Sequence, residues 1–234
     1  YINESPEAWV LQEYVQGPSY SLEVIGRPGR YTPLQVTDLA MDSGFDCKRV
    51  VAPTDLPETL VAEFERISVS IAEALELKGL MDIEVILHNH TLKLLEIDAR
   101  LPSQTPTAVY WSTGLNMMEK LGAFFLHGME KNPANSAPPK GVVYEHIRVS
   151  SNSLEVAGEH IMSGTDALSL HRDFFGVDEA ITNYAPGRAE WVATLIFSDA
   201  TRESALEKRH RMISELQKRF KLTGTGKIKR KHAY

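Results

Sequence analysis

Two runs of alternating apolar residues, separated by a short polar stretch, constrain the fold of this chain more than any other feature. The runs are MDIEVILH at 81–88 and TLKLLEID at 91–98, with Asn89 and His90 between them. Alternation with a period of two is typical of β-strands, and such a short polar connection is typical of a hairpin. The sequence therefore predicts two adjacent antiparallel strands.

Carboxylates occupy alternate positions on this predicted hairpin. Asp82 and Glu84 share one face of the first strand, and Glu96 and Asp98 share one face of the second. A turn centred on His90 places Glu84 directly opposite Glu96, and a turn centred on Asn89 makes them diagonal neighbours, whereas a shift by one residue separates them. Clustered carboxylates repel each other and need a cation, and oxygen ligands without histidine or cysteine favour Mg²⁺ or Mn²⁺. The alternative is an ordinary solvent-exposed face of an antiparallel sheet.

Arg100 continues the alternation beyond Asp98, shortly before Pro102. Its guanidinium is either a salt-bridge partner of a neighbouring carboxylate or a clamp on a phosphoryl or carboxylate group of a ligand. A cation beside the metal positions favours catalysis, because a purely structural ion site has no use for it.

Charge, hydropathy and cysteine content limit the partners and the location of the protein. The net charge of -6 and the pI of about 5.8 argue against a nucleic-acid partner. No apolar run approaches the ~20 residues that span a bilayer, so no membrane partner is expected. The single cysteine, Cys47, excludes an intrachain disulfide and a multi-cysteine zinc site and favours the cytoplasm.

The remaining segments predict a mixed α+β chain with antiparallel hairpins. Strands are predicted at 9–15 and 20–25, and helices at 55–77, 114–126 and 202–220, the first of them with a capping box of Asp55 and Glu58. Residues 101–107 read as a loop. By composition, residues 131–141 are a linker. It divides residues 1–130 from a β-rich domain at 142–234 that ends in a helix and a basic tail.

The order of these elements resembles the ATP-grasp ligase superfamily over residues 9–128. The resemblance rests on LQEYV, GPSYSLEVIG and RVVAP, on the helix that follows them, and on Glu-x-Asp-x-Arg in LLEIDAR. It implies an ATP-grasp fold, an antiparallel sheet with packed helices, whose C-terminal part is residues 1–130, followed by a smaller β-rich C-terminal domain. It also implies that this chain is a fragment whose activity needs the missing N-terminal domain of the same protein.

The resemblance further implies an ATP-dependent carboxylate-amine ligase. ATP would phosphorylate a substrate carboxylate, and an amine would attack the acyl phosphate to form an amide. Small amino acids are the implied partners, and ATP with Mg²⁺ or Mn²⁺ the implied cofactors. The alternatives are a ligase for another amino acid or a purine-pathway carboxylate, and a noncatalytic module that binds a nucleotide or a cation.

The family's motif positions imply a role for several residues of this chain. The adenine hinge and the ribose position fall on Gln12, Glu13, Val15 and Ser19. The metal ligands fall on Glu84, Glu96 and Asp98, and the cations near the transferred group on Arg100 and Arg49. The substrate contacts fall on Ser103 and Gln104.

Some of these assignments have alternatives or depart from the family pattern. Ser19 stands where relatives often have Glu. Asp98 stands where they commonly have Asn, and its extra charge suggests two metals or a cationic substrate. For Arg49 the alternative is a surface cation. Glu23, Asp38 and Asp173 are candidates for an acidic pocket that suits the cationic amino acids, and for each of them a solvated face is the simpler interpretation.

Overall fold

The computed structural model describes residues 11–127, 138–150 and 153–220. In this part of the chain eleven strands form one sheet, and every strand pair in it is antiparallel. The strands are β1 (Ser19–Arg27), β2 (Arg30–Pro33), β3 (Thr37–Met41), β4 (Cys47–Ala52), β5 (Gly79–His88), β6 (Thr91–Asp98), β7 (Gly141–Val149), β8 (Leu154–Val156), β9 (Ser169–Phe174), β10 (Val177–Thr182) and β11 (Trp191–Asp199). The helices are α1 (Glu58–Ala74), α2 (Thr105–Thr113), α3 (Met117–His127) and α4 (Arg202–Phe220), with a 3-10 helix at Glu159–Met162. The predicted α+β class is confirmed.

The sheet is continuous and includes strands from all three described ranges. Its main order is β6-β5-β1-β3-β4-β7-β11-β10-β9, with β2 paired to β1 and β8 paired to β7. β4 pairs with β7, so strands on both sides of the predicted linker belong to the same sheet. The division into domains at residues 1–130 and 142–234 stays a prediction. Most of the linker and the basic tail lie outside the described residues.

Helices cover both faces of the sheet because its strands carry apolar side chains on both. On one face Leu22 packs with Phe64 of α1, and further along the sheet Leu195 packs with Leu216 of α4. On the other face Val50 packs with α2, and Ile25 packs with α2 and α3. Since side chains alternate along a strand, Leu22 points toward α1 while Glu23 points toward α2.

Two local features differ from the sequence predictions. The capping box at the start of α1 is wrong: Pro57 occupies the N-cap without a side-chain cap, while Asp55 pairs with Arg202 at 3.2 Å. The helix predicted at 114–126 is α3, and a further helix, α2, precedes it and begins inside the loop predicted at 101–107. Gly114 separates the two in the left-handed conformation (φ 75°). None of the helices in the described ranges is long and apolar enough to cross a bilayer.

Candidate active site

The turn between β5 and β6 sets the initial register of the hairpin. Asn89 and His90 both have positive φ, 49° and 62°, as in the type I′ turn that is typical of two-residue hairpins. This turn pairs His88 with Thr91. Continued without interruption, such a register would place Glu84 opposite an apolar residue of β6.

A β-bulge between the turn and the carboxylates shifts this register by one residue. The pairing shifts between Val85, which lies opposite Leu94, and Glu84, which lies opposite Glu96. Leu95 is therefore the extra residue on β6. The bulge restores the predicted arrangement in which Glu84 and Glu96 face each other, because an added residue moves every later side chain to the other face.

Six side chains from three strands share the face that α2 covers. Across β1, β5 and β6, one row is Ser21, Glu84 and Glu96, and the next is Glu23, Asp82 and Asp98. Directly opposed side chains have Cβ atoms about 5 Å apart. Five carboxylates are thus brought together, whereas the sequence assigned only three of them to the site. Alternation along β5 places Asp82 on the same face as Glu84, as predicted from the sequence, whereas the position of Glu23 beside them depends on the β1–β5 pairing.

We call these five carboxylates the carboxylate grid. Its row of Glu23, Asp82 and Asp98 is most deeply buried at the β1 end. Glu23 is 0 % exposed and Asp82 4 %, whereas Asp98 is partly exposed. Ser21 Oγ donates to Asp82 Oδ1 at 2.6 Å, and the Thr105 hydroxyl donates to Glu23 Oε1. The solvated face expected for Glu23 is therefore wrong, because α2 covers it.

Burial and mutual repulsion raise the carboxyl pKa values on this face. Burial, followed by the charges of Asp82 and Glu96, raises the pKa of Glu84 to about 7. Burial, followed by Asp82, raises the pKa of Glu23 to about 8, and burial is also the main cause of the raised pKa of Asp82. The face therefore favours a bound positive charge near neutral pH. Oxygen donors grouped in this way fit a hard divalent cation.

Arg100 lies at the outer edge of this face. Its Nη2 donates to Asp98 Oδ2 at 2.5 Å, and its side chain is 61 % exposed. This is the salt bridge that the sequence left open as one alternative. A guanidinium has five N–H donors, so an exposed one retains donors for a ligand beside the carboxylates.

Ser103 and Gln104 both contact a carboxylate that the sequence did not assign to the site. Ser103 Oγ donates to Glu159 Oε2 at 2.7 Å, and Gln104 Nε2 donates to the same oxygen at 3.2 Å. Gln104 Nε2 also lies 3.2 Å from the Cys47 carbonyl oxygen. Glu159 is distant in sequence and lies on a short 3-10 helix, so no spacing rule could have found it.

Backbone hydrogen bonds hold the segment that carries Glu159. Gly158 N donates to Asp42 Oδ2 at 2.9 Å, and His160 N donates to Asp46 Oδ2 at 2.7 Å. Ligand atoms of Asp42, Asp46 and His160 lie within 4.8 Å of one another. Because the carboxylates already accept these N–H groups, the cluster fastens the segment to the loop after β3.

Arg49 does not lie with the carboxylates. It is opposite Glu145 of β7, and its Nε donates to this fully buried carboxylate. Arg209 of α4 binds Glu145 as well, at 2.7 Å, so Arg49 points toward α4 while the carboxylate grid lies under α2. We therefore remove Arg49 from the candidate site: the sheet separates it from the grid, and its guanidinium belongs to a buried ion pair.

A protein-family model described as an ATP-grasp domain matches residues 2–104, which include β1, β5, β6 and the carboxylate grid. Residues 2–104 therefore match the ATP-grasp family. The recognition made from LQEYV, GPSYSLEVIG and LLEIDAR is confirmed.

Curated relatives extend the ATP-grasp match over most of the chain. The 3-methyl-D-ornithine–L-lysine ligases of Methanosarcina mazei and Methanosarcina acetivorans are each 36% identical over 222 residues, which is 94% of this chain. The chain spans 57% and 58% of the length of these two relatives. A third such ligase, from Methanosarcina barkeri, matches at 36% over 213 residues.

Solved structures show the same ATP-grasp fold at low sequence identity. A biotin carboxylase–β,γ-ATP complex from Campylobacter jejuni has a TM-score of 0.61 at 14% identity and covers 87% of this chain and 47% of its own. The biotin carboxylase domain of a thermophilic 2-oxoglutarate carboxylase has a TM-score of 0.60 at 13% identity, covering 86% of this chain and 47% of its own. ATP-grasp membership implies the general use of ATP and a divalent metal.

The residues that the resemblance assigns to the adenine hinge precede β1. Gln12 and Glu13 are exposed and Val15 half-buried. The strand predicted at 9–15 is wrong for residues 11–15, which are not in a strand, and residues 9–10 lie outside the described ranges. Ser19 is buried at the start of β1. The nucleotide roles of these four residues stay predictions.

Contacts with β5 hold the turn after the hinge. Leu87 N donates to the Pro18 carbonyl oxygen at 2.9 Å, and His88 Nδ1 lies 2.8 Å from the Gln16 carbonyl oxygen. A Cβ at Gly17 would lie 2.1 Å from the Leu87 carbonyl oxygen. Glycine is therefore required for this close approach of the turn to the strand that carries Glu84.

Proposed function

We propose that the complete protein is an ATP-dependent ligase that joins two amino acids through an amide bond. The observation that carries the proposal is the pair Glu84 and Glu96, aligned by the β6 bulge next to Asp98 and Arg100 within an ATP-grasp segment. A row of carboxylates that ends in an exposed guanidinium can hold both the metal and the anionic groups of a phosphoryl-transfer reaction.

Glu84, Glu96 and Asp98 are the proposed ligands of Mg²⁺, with Mn²⁺ as a substitute. The divalent ion would neutralise charge on the ATP phosphates as the phosphoryl group is transferred. Arg100 stays bound to Asp98 and turns its remaining donors toward the transferred group. Gln12, Glu13, Val15 and Ser19 would bind the adenine and ribose, partly through backbone groups.

The proposed reaction has two steps. A carboxylate oxygen of the first amino acid attacks the γ-phosphorus of ATP, and ADP leaves. The amine nitrogen of the second amino acid then attacks the carbonyl carbon, phosphate leaves with the original carboxylate oxygen, and the nitrogen loses a proton. Ser103 and Gln104, both held by Glu159, are the proposed substrate contacts.

The names of the relatives support specific substrates. We propose 3-methyl-D-ornithine as the amino acid whose carboxylate is activated and the side-chain amine of L-lysine as the nucleophile, in the biosynthesis of pyrrolysine. The acidic grid supports this choice, because both amino acids carry an additional ammonium group. On the basis of its single cysteine, we propose that the protein acts in the cytoplasm.

An isotope-transfer experiment with the complete protein tests this function. 3-Methyl-D-ornithine labelled with ¹⁸O in its carboxylate is incubated with ATP, Mg²⁺ and L-lysine, and the phosphate and amide products are analysed by mass spectrometry. We expect one ¹⁸O atom in each phosphate released and one amide formed per ADP. Unlabelled phosphate, or ADP formation without an amide, would refute the proposal.

A further inference from the structure

Glu23 is the most deeply buried carboxylate of the grid, and one of its two oxygens has no hydrogen-bond partner among the described residues. One oxygen accepts from the Thr105 hydroxyl, whereas Oε2 has no hydrogen-bond partner among the described residues. Its nearest acidic neighbour across the strands is Asp82, which is itself buried. A buried polar atom without a hydrogen-bond partner is costly, so this position calls for a ligand that the metal ligands do not account for.

Two further buried polar atoms near Glu23 also have no partner in the described part of the chain. Thr37 is 0 % exposed and pairs with Ser21, next to Glu23 on the same face, and its hydroxyl makes no hydrogen bond. Gln35 donates through Nε2 to Ser112 of α2 at 3.1 Å, which leaves its Oε1 unpartnered. Three oxygens that can accept hydrogen bonds are thus buried between the sheet and α2.

We propose that Glu23, Gln35 and Thr37 form an amine subsite that binds the side-chain ammonium of the amino acid whose carboxylate is activated. The proposal rests on the ligase function proposed above and adds the residues that select a diamino acid. An ammonium has three N–H donors and no acceptor, which matches the three free oxygens. Its single positive charge would reduce the repulsion between Glu23 and Asp82.

The position of the subsite suits the length of a diamino acid. Glu23 lies opposite Asp82 and is the diagonal neighbour of the proposed metal ligand Glu84 on the adjacent strand, about 7 to 8 Å away. A side chain with a few methylene groups spans this distance. The activated carboxylate would then lie beside Glu84 and Arg100, while the ammonium reaches Glu23.

A second metal ion suits this position less well than an ammonium. Mg²⁺ requires near-octahedral coordination and usually keeps several water molecules. Thr105 already occupies one oxygen of Glu23, and Ser21 occupies one of Asp82. The space between the sheet and α2 therefore offers single oxygens from separate side chains.

Steady-state kinetics of the complete protein test the amine subsite. ADP release is measured with D-ornithine and with D-norleucine, an isostere in which a methyl replaces the ammonium, at saturating ATP, Mg²⁺ and L-lysine. We expect Glu23→Gln to raise the KM for D-ornithine by roughly 30-fold or more, as for the loss of a hydrogen bond to a charged group. The KM for D-norleucine and the KM for ATP should not change.

Two more variants make the result independent of Glu23 alone. Thr37→Val keeps the side-chain shape but removes the hydroxyl, and we expect it to raise the KM for D-ornithine several-fold and leave D-norleucine unaffected. Glu155→Gln removes an exposed carboxylate of β8 and should leave all constants at the wild-type values. If Glu23→Gln does not fold, Thr37→Val decides.

The outcomes separate the subsite from the ligase function. Equal increases in the KM for D-ornithine and the KM for D-norleucine would indicate a packing role and overturn the subsite. An unchanged KM for D-ornithine would overturn it as well. A variant that changes only the Mg²⁺ requirement would indicate a metal ligand and overturn it as well. In each of these cases wild-type ADP release persists, whereas its absence with every amino acid would overturn the ligase function itself.

Discussion

Glu23→Gln should make the protein more stable at alkaline pH than the wild type. Burial and the neighbouring Asp82 raise the pKa of Glu23 from 4.5 to about 8. Between these values the folded protein holds a proton that the unfolded chain has lost, so the free energy of unfolding falls as the pH rises through this window. Glutamine has the size of glutamate and no charge, and it can still accept from the Thr105 hydroxyl.

The size of the effect follows from the width of this window. Each pKa unit corresponds to about 1.4 kcal/mol, so the window from 4.5 to about 8 gives an upper limit of about 5 kcal/mol. Asp82 and Glu84 face Glu23 and respond to the same change of pH. Because a measurement that starts at pH 5 covers only about three units of this window, we expect Glu23→Gln to gain between about 2 and 4 kcal/mol relative to the wild type from pH 5 to pH 8.5.

Urea unfolding of the complete protein, followed by circular dichroism in EDTA, measures this difference. EDTA removes divalent ions, which would otherwise stabilise the ionised carboxylates. Glu155→Gln is the matched control, because its carboxylate is exposed, and its stability should follow the wild type at both pH values. If the difference in free energy of unfolding between Glu23→Gln and the wild type is the same at pH 8.5 as at pH 5, the reasoning about Glu23 is refuted.

Three other substitutions test separate parts of the structure. Arg209→Met should lower the free energy of unfolding by about 2 to 4 kcal/mol in urea, because it removes one of the two partners of the fully buried Glu145. His90→Gly should raise it by up to about 1 kcal/mol, because glycine accepts the positive φ of the turn at no steric cost. Gly17→Ala should raise the KM for ATP in steady-state assays, because the new Cβ would collide with the Leu87 carbonyl oxygen.

For each of these substitutions, one outcome of the measurement would contradict the structural explanation. Unchanged stability of Arg209→Met would mean that Arg49 alone balances Glu145, and a destabilised His90→Gly protein would exclude the assigned turn. Gly122→Ala is the control for Gly17, since a Cβ at Gly122 has open space around it. If Gly17→Ala does not change the KM for ATP, the predicted hinge residues do not contribute to nucleotide binding.

The sequence predicted the parts of this molecule that depend on local periodicity. β6 begins and ends at the residues that alternation indicates, and α4 spans the predicted residues 202–220. Both signals come from side chains that alternate between a packed and a less packed environment along one element. Alternation also predicted, as one of the possible registers, that Glu84 and Glu96 lie opposite each other.

The features that the sequence did not predict depend on contacts between distant segments. The bulge at Leu95 has no residue signature, and it decides whether Glu84 faces Glu96. Arg49 was assigned to the site by its position in the chain, but the β4–β7 pairing turns it toward Glu145. For Glu23 the sequence favours a solvated face, because nothing local shows that α2 covers it.

The start of α2 was missed for a different reason. Residues 101–107 contain two prolines, which we interpreted as loop residues. One of them, Pro106, lies in the first turn of the helix, where its missing N–H and fixed φ are tolerated. The same proline pattern can therefore signal either a loop or a helix start, and only the packing of Ala108 and Val109 distinguishes them.

The most direct test of the proposed site is the Mg²⁺ dependence of ADP release by the complete protein and by Glu96→Gln. The wild type should release ADP only when Mg²⁺ and the activated amino acid are both present. Glu96→Gln should lose at least about 100-fold in kcat/KM, as for the removal of a charged metal ligand, while its circular dichroism spectrum stays unchanged. Turnover without a divalent metal, or a fully active Glu96→Gln protein, would contradict the assignment of the carboxylate grid.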